Sequence, residues 1–213
     1  MKVVTMKQAF FMRCLFFFIG ILVLALGITL TIKGKILGVG SWDVLHIGLA
    51  KSIGLTIGTW SILIGLGILA IDMIVRKRWP LPGTFLDMFL TGIFIDLFNY
   101  WLPDIDGFWM QLVAYITGLI LLGWGCGMYM VANLGIGPRD TLMLLLSQKL
   151  GWSVMRSRTT MEVTVAIVGF LLGGPVGLGT VLMAIGLGPI VQFALTINER
   201  LFTKWTGVKN SYI

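Results

Sequence analysis

Charge is scarce in this chain, and so is nearly every residue type that builds a chemical site. Of 213 residues only 12% are charged, cysteine occurs twice, histidine once and proline six times. The two cysteines, Cys14 and Cys126, both lie inside apolar runs. They offer neither a disulfide framework nor a metal site and read as packed free thiols, so no metal is expected. No Ser/His/Asp set, HExxH, P-loop or CxxC pattern occurs, so an enzyme is not expected and no cofactor has a constellation to hold it. The cations are dispersed rather than gathered with aromatics on one face, which excludes the footprint of a nucleic-acid partner.

What the chain has in abundance is apolar surface and glycine. Fifty-seven percent of residues are hydrophobic, mean hydropathy is +0.96 and there are 28 glycines. No soluble domain of this length hides so much apolar surface in one core, so the solvent for most of the chain is lipid. Glycine at this level fits helices that pack closely in a bilayer.

A helix needs about twenty apolar residues to cross a hydrocarbon core about 30 Å thick. Six stretches qualify, at about 10–32, 57–75, 83–102, 109–131, 157–174 and 176–197. The first lacks a small-x-small cleavage site and is read as a retained span rather than a secretory signal. Charge then orients the chain. With the N-terminus inside, thirteen of the sixteen cations fall on cytoplasmic segments: Lys2, Lys7, Arg13, Arg76, Lys77, Arg78, Arg139, Lys149, Arg156, Arg158, Arg200, Lys204 and Lys209. Only Lys33, Lys35 and Lys51 lie outside, with Asp104 and Asp106. That asymmetry predicts six spans with both termini cytoplasmic.

The chain also repeats itself. Gly38-Val-Gly-Ser-Trp-Asp43 returns ninety-seven residues later as Gly135-Ile-Gly-Pro-Arg-Asp140. Leu37 matches Leu134, Leu45 matches Leu142 and Gly54 matches Gly151. After one residue of slippage, Gly83-Thr84 matches Gly179-Thr180, Gly92 matches Gly188 and Asp96 matches Gln192. Two units follow, 8–103 and 104–200, integrated in one membrane domain. Three spans per unit is an odd number, so the second unit sits upside down relative to the first, an inverted-topology repeat. The expected fold is an all-α polytopic membrane protein of six transmembrane helices, with a short re-entrant or interfacial half-helix in each repeat.

Those half-helices are Val44–Ile53 and Thr141–Leu150. About ten residues of helix rise only about 15 Å, so neither can span. Ser41 or Asp43 can cap the first, and Pro138 suits the first position of the second. The second is apolar on every side, which favours re-entry over a surface helix.

If the two copies dip inward, their N-termini meet near the mid-plane, and the candidate substrate-binding residues are Gly40, Ser41, Asp43, Gly137, Arg139 and Asp140. Asp96 and its repeat partner Gln192, polar inside spans, join that set because ionisable groups in lipid are costly. Arg158 and Glu162 share a helix face as a candidate ion pair or gate at the cytoplasmic entrance. His46 is a further gating candidate, since histidine titrates near neutrality. Asp72 and Asp87 are expected to pair with the Arg76-Lys77-Arg78 cluster. Gly123-x-Gly-x-Gly127 and Gly169-x-x-x-Gly173-Gly174 are expected to be close-packing faces.

Leu134-Gly-Ile-Gly-Pro-Arg-Asp-Thr-Leu-Met, Arg158-Thr-Thr-Met-Glu162, Gly173-Gly-Pro-Val-Gly-Leu-Gly-Thr180 and Gly186-Leu-Gly-Pro-Ile-Val-Gln192 together resemble the YczE/YyaS/YitT group of bacterial membrane proteins, most closely its YczE branch. Gly38-Val-Gly-Ser-Trp-Asp-Val-Leu-His fits the same pattern. The resemblance implies a multi-pass protein of the bacterial cytoplasmic (inner) membrane and carries no catalytic residues with it. The expected function is a carrier or channel for a small polar solute or ion. The alternative is a non-transporting accessory or scaffold protein for another complex. The expected partners are the lipid bilayer and an unknown small solute or ion, and the pattern leaves room for an oligomer.

Overall fold

The computed structural model describes residues 6–34, 37–55 and 57–207. Lys2, Lys35 and Lys209, three of the cations used to orient the chain, lie outside the described residues. Among the described residues the secondary structure is helical without strands, in the order α1 (Met6–Lys33), α2 (Ser41–Ile53), α3 (Ile57–Arg76), α4 (Pro82–Trp101), α5 (Phe108–Val131), α6 (Pro138–Leu150), α7 (Val154–Leu171) and α8 (Leu178–Thr206). Every expected apolar stretch becomes a helix, and both short segments form helices of 13 residues.

Four helices, α1, α3, α5 and α8, are long and apolar enough to cross a membrane. The other two expected spans, α4 and α7, have 20 and 18 residues. They differ from the four in polarity: α4 holds Asp87 and Asp96, and α7 holds Arg156, Arg158 and Glu162. Where these charges go decides how the helices are used.

The starts of the short helices differ from one expectation. Gly40 is the N-cap of α2, and neither Ser41 nor Asp43 caps it, since no side chain accepts from the first turn. Gly137 is the N-cap of α6 and Pro138 is its first residue, as its fixed φ favours.

The centre of the molecule is the α1–α5 pair. Glycines bring the two backbones together: a Cβ at Gly27 would lie 2.3 Å from Leu122 N, and one at Gly125 would lie 2.4 Å from Leu24 N. Gly123 and Gly127, on the opposite side of α5, meet Ile190 and Leu195 of α8. The expected glycine face is thus divided between two neighbours. Around this centre α4 packs on α1, α8 on α5 and α7, α2 on α7, and α6 on α3. Gly169 and Gly174 let α7 and its following turn approach Val44 and Leu45 of α2.

The two motif loops are held crosswise. Gly38 abuts Gly177 at the start of α8, and Gly135 abuts Gly83 and Thr84 at the start of α4. Thr180 donates its hydroxyl to Val39 O at 2.7 Å, while Ile136 N donates to Thr84 Oγ1 at 3.3 Å. Gly38 and Gly135 have φ of 104° and 157°, and the backbone opposite leaves no room for a side chain at either. The interior is a continuous apolar core that includes Phe17, Ile21, Tyr115, Tyr129, Met143, Leu187 and Phe202. The outward surface is apolar too, with Ile74, Phe89, Trp109, Leu171 and Leu178 all exposed. A surface of this kind fits lipid rather than water.

Candidate functional site

Both half-helices start at one cavity of about 800 Å³, lined by residues of all eight helices. The loop geometry just described delivers their first turns there. Trp42 and Arg139 hold the same place in the two hexamers, and the structure stacks one on the other, with Arg139 Cζ 5.2 Å from the Trp42 ring centroid. A guanidinium on an aromatic face is a favourable contact of about 0.5–2 kcal/mol. The expected meeting of the two copies therefore takes the form of a direct contact between equivalent residues.

The second copy is tied in by a charged network. The Asp140 carboxylate accepts from the Tyr129 hydroxyl, and from the Cys126 thiol at 3.1 Å, and it pairs with the Arg158 guanidinium. Arg158 Nε lies 3.0 Å from Glu162 Oε1, and the Trp42 indole donates to that same oxygen at 3.3 Å. The chain of contacts thus runs from α5 through α6 and α7 to α2. Arg158 and Glu162 pair as their spacing predicts, but they are buried, at 5% and 0% exposure, rather than set at an entrance. Burial of these charges is tolerated because each is partnered, and removing one partner would leave the other orphaned. The second carboxylate oxygen of this pair, Glu162 Oε2, is buried and makes no hydrogen bond.

The first copy is more loosely furnished. Asp43 lines the cavity and is exposed to it. His46 is buried against the Trp42 ring at 6.4 Å between centroids, and also lines the cavity. Ser41 Oγ is buried without a hydrogen-bond partner. Gly40 lies against Met183, where a Cβ would come within 3.0 Å of the sulfur.

Three of the expected site residues, Ser41, Asp96 and Gln192, are not brought to the cavity. Asp96 is exposed on α4, and Gln192 accepts a hydrogen bond from Met155 N at 3.1 Å, bracing the start of α7 against α8. Asp96 directly follows the cavity-lining Ile95 but does not itself line the cavity, and Gln192 lies more than a turn beyond Leu187, the last residue of α8 to line it.

Asp87 was expected to pair with the Arg76 cluster. Of the two aspartates expected there only Asp72 pairs, with its Oδ1 2.6 Å from Arg76 Nε. Asp87 is buried at the cavity, accepts from Thr91 Oγ1 at 3.4 Å, and sits so close to Gly137 that a Cβ there would lie 2.4 Å from its Oδ2. A signal for this was present in the repeat. At the offset that matches Gly83 to Gly179, Asp87 matches Met183, and the structure places Asp87 on Gly137 as it places Met183 on Gly40. Tyr129 and Cys126 carried no such signal, because an apolar run gives no hint of which tyrosine or thiol will meet a carboxylate from the next helix.

The geometry is that of a largely apolar chamber with a cluster of charged residues in its wall. A family model described as a family of unknown function, DUF6198, matches residues 11–196. The chain belongs to that family. It is similar to the Bacillus subtilis protein called uncharacterized membrane protein YczE, with 43% identity covering 89% of this chain and 88% of that one. It is also similar to the B. subtilis protein YyaS, with 32% identity over 90% and 96% of the two chains. An uncharacterized Haemophilus influenzae protein is 36% identical over 86% and 85%. No solved structure matches. Family and helices together make this a multi-pass membrane protein of the YczE/YyaS group.

Proposed function

We propose that the protein is a carrier, or in simpler form a channel, for a small polar solute or ion, with its site where the two hexamers meet. The observation that carries this reading is the shared cavity: two half-helices of matching sequence begin at one chamber of about 800 Å³, and equivalent residues Trp42 and Arg139 touch there. Interrupted helices at matching places in two inverted halves, with the site between them, is the plan of many secondary transporters.

In this reading α4 and α7 join the four long apolar helices to give six spans, and α2 and α6 re-enter the bilayer. The units 8–103 and 104–200 form one inverted repeat. Contacts between elements support it: α2 on α7 mirrors α6 on α3, and α1 on α4 mirrors α5 on α8. Of the charges that α4 and α7 carry, Asp87, Arg158 and Glu162 line the cavity, while Asp96 and Arg156 are exposed. Orientation follows from the cation asymmetry, with both termini cytoplasmic in an inner membrane. The Lys33–Asp104 ion pair, 2.8 Å long, supports one side of it, because it joins the end of α1 to the α4–α5 connection.

Proteoliposomes challenged with a panel of cations, anions, amino acids and sugars test the reading. Protein-dependent flux of one class, lost in Asp140→Asn protein that stays monodisperse, is the expected result. Absence of flux across the whole panel overturns it and leaves the accessory role.

A further inference from the structure

The end of α3 and the turn that leads to α4 carry three consecutive cations, Arg76, Lys77 and Arg78, followed by Trp79. Asp72 takes Arg76, whereas Lys77 and Arg78 are exposed and make no ion pair among the described residues. Trp79 is 81% exposed, as suits a ring at headgroup depth. The repeat shows that such charge is not a general property of this connection. The matching one between α7 and α8, residues 172–177, holds no charged residue.

The charged turn also stands at the end of an unfilled seam. Helices α7 and α8 pack on each other where Gly188 meets Thr159, but α3 and α4 share no packed interface among the described residues. Gly92, at the place of Gly188, has nothing within 4 Å of an added Cβ. Ile62, at the place of Thr159, is exposed and lines the chamber. A void between apolar helices forfeits the contacts of both walls, and in a bilayer acyl chains are the matter at hand to fill it. The length fits one chain. From Pro82 to Gly92 α4 rises about 15 Å, half of a hydrocarbon core about 30 Å thick. A lipid whose head lies at the turn thus ends its chain beside Gly92, and the unpaired cations select a negative head.

We infer that one anionic phospholipid docks in the α3–α4 seam, with its phosphate on Lys77 and Arg78 and an acyl chain between the helices as far as Gly92. The chain then closes the chamber beside Ile62. This rests on α4 as a span, as proposed above, and not on what the chamber carries.

Native mass spectrometry of the full chain, released from neutral detergent micelles holding equal phosphatidylglycerol and phosphatidylcholine, is the measurement. One retained phosphatidylglycerol is expected, preferred over phosphatidylcholine about tenfold or more, since each cation at a membrane surface contributes about fivefold. Lys77→Gln with Arg78→Gln removes the preference, and Gly92→Leu removes the retained lipid while the unfolding temperature holds. The double variant alters only exposed side chains, so it keeps the test intact should Gly92→Leu fail to fold. A ladder of several phosphatidylglycerols of like affinity, a preference that survives the double variant, or a lipid that Gly92→Leu leaves in place overturns the inference. So does a lipid-free dimer whose second copy covers the seam, or displacement of the lipid by equimolar glycerol 3-phosphate, which has no chain. Flux with no retained lipid rejects the docked lipid and keeps the carrier. A retained lipid with no flux of any solute does the reverse.

Discussion

The two ends of the bundle that the repeat makes equivalent are packed differently, and the cause can be named. Helices α7 and α8 are in close contact, whereas α3 and α4, which hold the same places in the first unit, share no packed interface among the described residues. On the closed side a Cβ at Gly188 would lie 2.3 Å from Thr159 Oγ1 and 2.7 Å from Met155 O. Its counterpart Gly92 has nothing within 4 Å of that position. The same glycine thus serves as a contact in one half and faces open space in the other. Five residues into α7 stands Arg158 and nine residues in stands Glu162, while α3 has Ser61 and Gly65 at those places. The ion pair ties α7 to α6 and to α2. Among the described residues no ion pair ties α3 to another helix, and a Cβ at Gly65 would meet only Pro138, at 3.7 Å. Charge in one half therefore fixes a helix that the other half leaves loose. For a carrier built on inverted halves, one closed seam and one open seam is what a single end state looks like, and exchanging the two packings would give the opposite state.

The comparison can be broken most severely at Arg158. Arg158→Met leaves Asp140 and Glu162 buried without their cation and is expected to cost about 3–5 kcal/mol, whereas Ser61→Met at the matching place stays within about 1 kcal/mol. Thermal unfolding of both variants in one detergent checks the difference. Equal losses would mean that the ion pair is not what distinguishes α7 from α3.

The seams themselves give the next largest effect. Gly188→Leu overpacks a backbone contact and is expected to cost about 1–3 kcal/mol, against about 0.5 kcal/mol or less for Gly92→Leu. If the α3–α4 seam is the way in, Gly92→Leu slows ligand exchange while the unfolding temperature holds. A stability loss equal to that of Gly188→Leu would show that α3 and α4 are packed in the membrane.

The smallest difference lies in two tyrosines on α5. Tyr129 donates to the Asp140 carboxylate, and Tyr115 donates to the neutral Gly179 carbonyl at 2.6 Å. Hydrogen bonds to charged groups contribute about 1.5–3 kcal/mol and neutral ones about 0.5–1.5, so Tyr129→Phe should exceed Tyr115→Phe. Denaturant midpoints in that order sharpen the contrast between the charged network at Asp140 and a neutral bond made by the same helix, and the reverse order would remove it.

How far the residues themselves foretold this depended on the range of the interaction. Helix positions followed from local apolar runs, and the Arg158–Glu162 and Asp72–Arg76 pairs followed from a spacing of four, since such neighbours share one face of a helix. The meeting of the hexamers followed from the repeat. Asp96 and Gln192 misled because polarity inside a span marks a residue without saying which way it faces. Asp87 was assigned to the nearest cations along the chain, but helix packing turned it toward Gly137. Cys126 looked like an inert thiol until α6 placed a carboxylate beside it.

The sequence by itself determined that this is a helical membrane protein with two copies of one hexamer, each ahead of a short helix, because hydropathy and recurring motifs are properties of the chain read in order. Only the tertiary structure decided that Trp42 would stack on Arg139, that Asp140 would be held by Tyr129, Cys126 and Arg158, and that one seam would close while its counterpart stayed open. Those outcomes depend on which helix faces meet, and side-chain direction around a helix is set by packing rather than by any local pattern.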